Sequence, residues 1–190
     1  MTNVVFNSMR FGYTLIEASV VLVILGITAI LLVPHLSNQA DTELQGAARQ
    51  LVADISWAQC DAVASQGYRR LHFYADGRGW CLLDITDSTF ANSFDAATAV
   101  FAEDPWRTRR GGGDFIVDFP NDDRYVFVTV SDITTGVKGG RDLTFDRLGG
   151  TVSAPGLGAG AATVTLSDGT DSWQVDIAPV TGRVAVSRAE

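Results

Sequence analysis

The chain has 190 residues and a formal net charge of −8 at pH 7. This length allows one domain plus an appendage. The acidic balance disfavours a broad nucleic-acid-binding surface, which needs basic side chains to displace counterions. Hydrophobic residues make up 46% of the chain, but they are concentrated in its first third, and the remainder has the composition of an ordinary soluble domain.

A long apolar run lies near the start of the chain. Residues 13–33 occupy 21 positions, nearly all apolar, and a helix of that length spans about 31 Å, the thickness of a bilayer core. Its one charged residue is Glu17. A carboxylate inside a membrane costs on the order of 3 kcal/mol and by default indicates a function. Arg10 before the run favours a cytoplasmic N-terminus and an exported C-terminal part.

This run has three interpretations. A cleaved secretory signal peptide would need small residues at a cleavage site, whereas the run ends in LLVPHLSNQA. A plain single-span anchor fits the length but leaves Glu17 unexplained. The third interpretation starts from the residues that open the run, GYTLIE, and explains the carboxylate.

The stretch GYTLIE resembles the prepilin signature of type IV pilins and type II secretion pseudopilins. The resemblance implies that a prepilin peptidase cuts between Gly12 and Tyr13 and that the new amine of Tyr13 is methylated. It also implies a Glu at the fifth position after the cut, which is Glu17 here. Two positions depart from the usual pattern: Tyr13 replaces Phe, and Phe11 stands where a basic residue is common.

Cleavage would create a charge that Glu17 can neutralise. The amine of Tyr13 and the carboxylate of Glu17 are both costly alone in apolar surroundings. Pairing of Glu17 with the Tyr13 amine of an adjacent subunit would relieve both costs. Residues four apart share a helix face, so a pair within one chain is the alternative. In the family the subunit at the extreme tip often lacks this Glu, which implies that this chain is not the outermost subunit.

An amphipathic stretch continues the helix beyond the apolar run. Apolar residues at spacings of four and three form one stripe, made of Leu44, Ala48, Leu51, Ile55, Ala58 and Ala62. We therefore expect one helix from Tyr13 to about Gln66, whose second half packs on a domain. Pro34 is expected to kink or break it, and Gly67 to stop it. A coiled-coil stalk is the alternative, but the stripe lasts too few turns to favour one.

From Arg69 onward the sequence changes to short strands and turns. The turn DGRG between RRLHFYA and WCLLDI is a hairpin signal, and six more candidate strands follow: DFIVDF, RYVFVTVS, DLTF, ATVTL, WQVDIA and RVAVSR. The Gly/Ala-rich residues 149–162 are interpreted as a flexible loop. The predicted fold class is α+β, a long N-terminal helix packed on a C-terminal antiparallel domain like a β-sandwich.

Three segments carry a resemblance to the GspH/FimT family of minor pseudopilins and minor pilins. They are ARQLVADISWAQCDAVASQGYRRLHFY, LTFDRLGG and WQVDIAPVTGRVAVS, and the last resembles that family's terminal Gly-Arg hairpin. The resemblance implies the following division: 1–12 leader peptide, 13–34 transmembrane helix and pilin core, 35–67 amphipathic continuation, and 68–190 periplasmic β-rich domain.

The family resemblance implies a structural role. The expected function is that of an H-type minor pseudopilin near the tip of the periplasmic pseudopilus of a type II secretion system, which helps to export folded proteins. Expected partners are the other minor pseudopilins, the major pseudopilin, the prepilin peptidase and the inner-membrane assembly platform. The chain would cross the bacterial inner membrane once. The alternatives are a FimT-like minor type IV pilin that primes pilus assembly and, outside this class, a membrane-anchored β-domain with a binding role.

The cysteines are Cys60, near the predicted helix end, and Cys81, on the second predicted strand. An exported location permits a disulfide between them, closing a loop of about 20 residues, and two free thiols are the alternative. A zinc site is disfavoured because the chain has only two histidines, His35 and His72, and His35 lies at the predicted membrane edge. We therefore expect no metal and no cofactor.

No pattern in the sequence indicates catalysis. His72 is the only candidate base and lies within a predicted strand. The stretch RRGGGD lacks the Gly-Lys-Ser/Thr ending of a phosphate loop. The acidic stretch 118–123 does not match EF-hand spacing and favours a polar turn. These observations together predict no enzyme activity. DNA-binding members of the FimT branch carry a second Arg soon after the Gly-Arg, whereas in this chain the next Arg after Arg183 is Arg188. DNA binding is therefore not expected either.

Overall fold

The computed structural model describes residues 14–105, 113–135 and 140–189, with the side chains of 29–40 left out of the description. By its contacts the chain divides into two compact units, Met1–Gln39 and Ala40–Glu190. One helix, α1 (Leu15–Ser65), contributes to both. It is assigned continuously through Pro34, so the expected local break is not present, in keeping with a proline that removes a single backbone hydrogen bond. A kink at Pro34 stays a prediction.

The second half of α1 buries the predicted apolar stripe. All six stripe residues are at most 1% exposed, and each lies in the main hydrophobic core. Burying such side chains contributes roughly 25 cal/mol per Å² of apolar surface. The expectation that this half packs on a domain is confirmed.

The C-terminus of α1 closes with a left-handed residue. The amide of Gly67 donates to the carbonyl of Ala62 at 3.1 Å, and the amide of Gln66 lies 3.4 Å from the carbonyl of Val63. These are the two bonds of a Schellman motif, and its left-handed position is filled by Gln66, at φ +54°. The left-handed residue that ends the helix is therefore Gln66, and Gly67, which was expected to stop the helix, is the residue after it.

The first sheet has six antiparallel strands. Its order is β3-β2-β1-β5-β6-β7, with the bounds β1 (Tyr68–Phe73), β2 (Gly79–Ile85), β3 (Ile116–Asp118), β5 (Asp142–Phe145), β6 (Thr151–Ala154) and β7 (Leu157–Gly158). The predicted β1–β2 hairpin is confirmed, with Leu71 opposite Leu82.

The second sheet has four antiparallel strands in the order β10-β9-β8-β4. Their bounds are β4 (Thr129–Thr134), β8 (Ala162–Ser167), β9 (Ser172–Ile177) and β10 (Val184–Arg188). β8 alternates buried and half-buried residues along its length, so one of its faces points to the core. The predicted strands ATVTL, WQVDIA and RVAVSR are confirmed.

One core joins α1 to both sheets. It contains Leu71 and Leu82 of the first sheet, Val164 and Val175 of the second, and the α1 stripe. The opposite face of the first sheet is covered by residues 86–101, which form a smaller apolar cluster around Phe90. The predicted α+β fold class is therefore confirmed.

Two details of the β-rich part differ from the predictions. The segment RYVFVTVS was expected to be a strand from its start, but residues 124–128 form turns and β4 begins at Thr129. Tyr125 and Val128 in these turns are buried in the main core, so apolar residues there do not require a strand. The expected loop 149–162 contains the short strands β6 and β7.

Candidate functional site

The N-terminal turn of α1 is capped by Thr14. Its hydroxyl oxygen Oγ1 accepts a hydrogen bond from the backbone amide of Glu17 at 3.3 Å. Thr14 is thus the N-cap and Glu17 the third helical residue, where a carboxylate favours the positive end of the helix dipole. Thr14 was not singled out from the sequence, although T-x-x-E is a capping-box pattern that could have identified it.

The segment 14–28 of α1 presents apolar side chains on every side. All its residues are exposed, including Leu15, at 88%, and eight further large apolar residues. These eight are Ile16, Val20, Val21, Leu22, Val23, Ile24, Leu25 and Ile27. A helix that is apolar all round is normally buried among other apolar groups. No described residue covers this surface.

The hydroxyl groups of this segment are satisfied within the helix. Ser19 donates to the carbonyl of Ile16 at 2.7 Å, and Thr28 donates to the carbonyls of Ile24 and Leu25 at 2.9 and 3.0 Å. Such bonds let hydroxyl side chains enter apolar surroundings without an unpaired donor. The Glu17 carboxylate differs, because no partner for it lies among the residues that the structure describes.

The predicted cleavage site, Gly12 and Tyr13, lies outside the described residues, so the Tyr13–Glu17 ion pair and the methylation stay predictions. Across the described ranges, no helix combines the length and the apolar character of a membrane span.

The candidate disulfide between Cys60 and Cys81 is not formed, and both thiols are free. Successive strand residues point to opposite faces, and on β2 Trp80 and Leu82 face the core that contains α1. Cys81 instead belongs to the cluster on the other face of the sheet. Cys60 is exposed on α1, so the sheet separates the two sulfur atoms.

His72 takes part in a cross-strand row on the outer face of the first sheet. Its neighbours are Cys81 on β2 and Asp142 on β5, and its Nδ1 lies 2.6 Å from Oδ1 of Asp142. The imidazole stacks on Phe94, with 4.0 Å between ring centroids. Burial raises the pKa of the Cys81 thiol to about 11, so the sulfur is protonated at neutral pH and is a poor nucleophile. Through the contact with His72, Phe94 packs against the outer face of the first sheet, together with the rest of the segment 86–101.

The acidic stretch 118–123, predicted to be a polar turn, contains a short 3-10 helix, Phe119–Asn121, whose Phe119 is buried in the main core, while its polar side chains bond to one another. Asn121 donates to Oδ2 of Asp118 at 2.7 Å, and Arg124 pairs with Asp122 at 2.6 Å. Asp123 is exposed beside them. Within the described ranges, no group of three His, Cys, Asp or Glu side chains is placed to hold a metal ion.

The three segments that carry the C-terminal resemblance meet at one point. Gln59 on α1 donates through Nε2 to the carbonyl of Gly182 at 2.9 Å and lies 3.3 Å from the carbonyl of Gly149. The amide of Val180 donates to Oγ1 of Thr151 at 3.2 Å. We call this contact the helix–hairpin junction. It fixes the terminal hairpin against α1 and the turn before β6.

Comparisons with solved structures matched the chain to a minor pseudopilin and a minor pilin. The minor pseudopilin EpsH from the type 2 secretion system of Vibrio cholerae is 12% identical, with a TM-score of 0.46 over 77% of this chain and 97% of that one. The type IV minor pilin FimU of Pseudomonas aeruginosa is 20% identical, with a TM-score of 0.46 over 77% of this chain and 90% of that one. A second crystal form of FimU is 19% identical, with a TM-score of 0.45 over 76% and 92% of the two chains. No family model and no curated protein sequence matches the chain.

Proposed function

We propose that this chain is an H-type minor pseudopilin, a structural subunit near the tip of a periplasmic pseudopilus in a type II secretion system. The observation that carries the proposal is the segment 14–28 of α1, which is apolar on every side and exposed. It begins within the GYTLIE motif, residues 12–17. Such a segment can lie in a bilayer before assembly and can pack among the equivalent helices of other subunits after assembly.

The Glu17 carboxylate favours transfer of this helical segment from the bilayer to a bundle of subunits. The other polar side chains of the segment are satisfied by the helix itself, whereas a carboxylate in a bilayer needs a partner. Cleavage after Gly12 would place a positively charged amine on Tyr13 of each subunit. In the bundle, that amine of one subunit would pair with Glu17 of the next.

The β-rich unit acts in this proposal as the periplasmic part of a non-catalytic subunit. Its conspicuous polar groups are engaged in holding the fold: Arg69 bridges Asp61 of α1 and Asp84 of β2, and His72 is held between Asp142 and Phe94. We propose that the chain passes once through the bacterial inner membrane with its N-terminus in the cytoplasm. Its partners would be the other pseudopilins, the prepilin peptidase and the inner-membrane assembly platform.

The decisive experiment is the mass of the N-terminal peptide from native membranes. We expect a peptide that begins at methylated Tyr13. Gly12→Ala should leave the precursor uncut, and Gly26→Ala is the matched control, because a Cβ at Gly26 meets no atom within 4 Å and the cleavage motif is untouched. A mature protein that keeps Met1, or one that begins beyond Val33, would contradict the proposal.

A FimT-like minor type IV pilin is the second candidate, because the GYTLIE motif is common to both classes. Deletion of the chain distinguishes them. Loss of exported proteins with normal pili supports the secretion role, and loss of pili with normal export supports the pilin role.

A further inference from the structure

A segment of the β-rich unit covers the outer face of the first sheet without forming a helix or a strand. Residues 86–99, which we call the strap, leave β2 at its end and return at Val100, whose carbonyl accepts a bond from the amide of Asp84 at 2.8 Å. The strap consists of turns, and its backbone bonds are local, as from the amide of Asn92 to the carbonyl of Thr89 at 3.0 Å. Both ends are thus fixed to β2, whereas the middle must be held by side chains.

Two aromatic rings provide most of the apolar attachment of the strap. All residues of the strap are exposed except Phe90, which is buried, and Phe94 and Ala99, which are half-buried. Phe90 packs edge-on against Tyr68 of β1, with 5.2 Å between ring centroids, and Phe94 stacks on His72. A segment with few buried apolar contacts and an exposed backbone belongs to the part of a fold that opens most easily.

Arg70 of β1 provides the polar attachment of the strap. This residue is 5% exposed, and its Nη2 and Nη1 donate to the carbonyls of Phe90 and Asn92 at 2.5 and 3.1 Å. Its Nε donates to Oγ1 of Thr144 on β5 at 3.1 Å. One planar guanidinium therefore bonds the middle of the strap and the sheet at the same time, which its fork of donors makes possible.

Closure of the strap removes the Arg70 guanidinium from water. Burial lowers the pKa of Arg70, and Asp142 opposes that shift from a distance of 3.8 Å between Oδ2 and Nη1. Two of the acceptors of the guanidinium are neutral carbonyls that would leave with the strap. In the open state the charge would regain hydration and keep Asp142 and Thr144 as neighbours. Opening therefore loses two hydrogen bonds but recovers the solvation of a cation, and this compensation lowers its cost.

The cluster beneath the strap is separate from the main core. The first sheet lies between them, with the α1 stripe packed on its inner face and the cluster around Phe90 on its outer face. The sheet residues of the outer cluster are each at most 8% exposed; they are Tyr68, Cys81, Leu83, Ile85 and Val152. Departure of the strap would uncover these side chains and leave the packing of α1 unchanged.

We propose that the strap is a lid that opens and closes over the outer face of the first sheet while the main core stays folded. Its latch consists of Arg70 and the rings of Phe90 and Phe94. The open state presents an apolar face that the closed state conceals. The lid is a property of the β-rich unit alone, so it does not depend on the role proposed above for the chain.

The test is the rate at which N-ethylmaleimide labels the two thiols of the full chain in mild detergent, followed at each cysteine by mass spectrometry. Cys60 is exposed, whereas Cys81 is buried in the cluster beneath the strap. Cys60 should therefore react at once, and Cys81 only when the strap opens. Without denaturant, we expect Cys81 to react about tenfold or more faster than the unfolding equilibrium of the whole chain allows, as measured by urea unfolding.

A pair of arginine variants tests the polar part of the latch. Arg70→Lys keeps the charge but loses the fork that bonds both carbonyls of the strap, so it should speed labelling of Cys81 about tenfold. The matched control is Arg147→Lys. Arg147 also reaches the strap, through Asp87 at 3.1 Å, but this pair is exposed and contributes little. Labelling of Cys81 should therefore be unchanged in the control.

A second pair separates opening of the strap from unfolding of the chain. Phe94→Ala removes a ring of the latch and should speed labelling of Cys81, whereas Val164→Ala weakens the main core and should lower global stability without changing that labelling. The proposal would be overturned if Cys81 reacted only as fast as the whole chain unfolds. It would also be overturned if Val164→Ala accelerated labelling as much as Phe94→Ala does, because the thiol would then be reached by global unfolding.

Discussion

Nε2 of Gln59 lies 2.9 Å from the carbonyl oxygen of Gly182, across 123 positions of sequence. This bond joins the C-terminal part of α1 to the hairpin before β10. A Cβ on residue 182 would lie 2.0 Å from Nε2 of Gln59 and 3.1 Å from the carbonyl oxygen of Gly149, and the backbone there has φ +62°. Glycine at 182 is therefore required by both conformation and space.

Gly182→Ala should destabilise the chain more than the same change at a free left-handed glycine. The matched control is Gly156→Ala, since Gly156 has φ +76° and no atom within 4 Å of an added Cβ. Both variants lose the conformational freedom of glycine, but only Gly182→Ala displaces Gln59 from its two carbonyl partners, for a further loss of about 1–2 kcal/mol. Urea unfolding of the full chain in mild detergent measures the difference. The excess should shrink in a Gln59→Ala background, and an undiminished excess would show that the junction is not its cause.

The sequence predicted those parts of the fold in which periodicity and burial agree. The stripe from Leu44 to Ala62 is buried where the 3.6-residue period placed it, and the β1–β2 hairpin has the expected turn. The hairpin of β6 and β7 was not predicted, because β7 has only two residues, Leu157 and Gly158, which are too few to show an alternation of polar and apolar side chains. β4 begins late because residues 124–128 form turns that bury Tyr125 and Val128 in the main core, and such long-range packing is not encoded by a local pattern.

The candidate site was predictable to a similar degree. Glu17 is conspicuous as the one charge in an apolar run, whereas Thr14 needed attention to the cap pattern. The disulfide hypothesis for Cys60 and Cys81 rested on compartment and loop length. The alternation of WCLLDI would have assigned Cys81 to the face opposite Trp80, away from the helix.

Asp54 should make the stability of the β-rich unit depend on pH. This residue is 2% exposed on α1 and accepts bonds from Trp80 Nε1 at 2.9 Å and Gln50 Nε2 at 2.7 Å. Desolvation nevertheless raises its pKa to about 7, and the nearby Asp104 acts in the same direction. A group whose folded pKa is raised stabilises the fold at low pH and loses that contribution as pH rises through the folded value. The free energy of unfolding should therefore fall between about pH 4 and pH 7, by at most about 4 kcal/mol from this group.

Asp54→Asn should flatten that dependence. The neutral amide has no charge to desolvate, so the variant should exceed the parent chain in stability above pH 7 and differ less near pH 4. Asp123→Asn is the matched control, because Asp123 is exposed and the same change there should leave the profile unaltered. Denaturant unfolding at half-unit pH steps measures both, and identical slopes for Asp54→Asn and the parent chain would contradict the assignment.

Gln66→Gly should stabilise the chain. Gln66 holds the left-handed position at the end of α1 with φ +54°, a conformation that costs a residue with a Cβ about 1 kcal/mol relative to glycine. The gain should be about 0.5–1 kcal/mol in thermal or urea unfolding. The control is Ser65→Gly, one residue earlier and still helical, where glycine should destabilise by a similar amount. A loss of stability on Gln66→Gly would mean that the side chain, which bonds to the carbonyl of Val63 at 2.8 Å, outweighs the backbone conformation.

Glu17 combines two roles that substitution can separate. As the third helical residue it favours the positive helix end, and in the proposed fibre its carboxylate pairs with the Tyr13 amine of a neighbour. Glu17→Gln keeps the size and hydrogen-bonding capacity of the side chain but removes the charge, whereas Thr14→Ala removes the observed cap and keeps the carboxylate. We expect Glu17→Gln and Glu17→Ala to be cut after Gly12 as usual but to enter the fibre poorly.

Thr14→Ala should enter the fibre nearly normally, since losing a cap costs about 1 kcal/mol in a helix of 51 residues. Processing is measured by the N-terminal mass, and incorporation by the fraction of chain recovered with sheared fibres. If Thr14→Ala entered the fibre as poorly as Glu17→Gln, the loss of helix capping alone would account for the defect of Glu17→Gln. Normal incorporation of Glu17→Gln would contradict the ion pair while leaving the processing site intact. The charge and the cap therefore give distinguishable defects, because only the charge requires a second subunit.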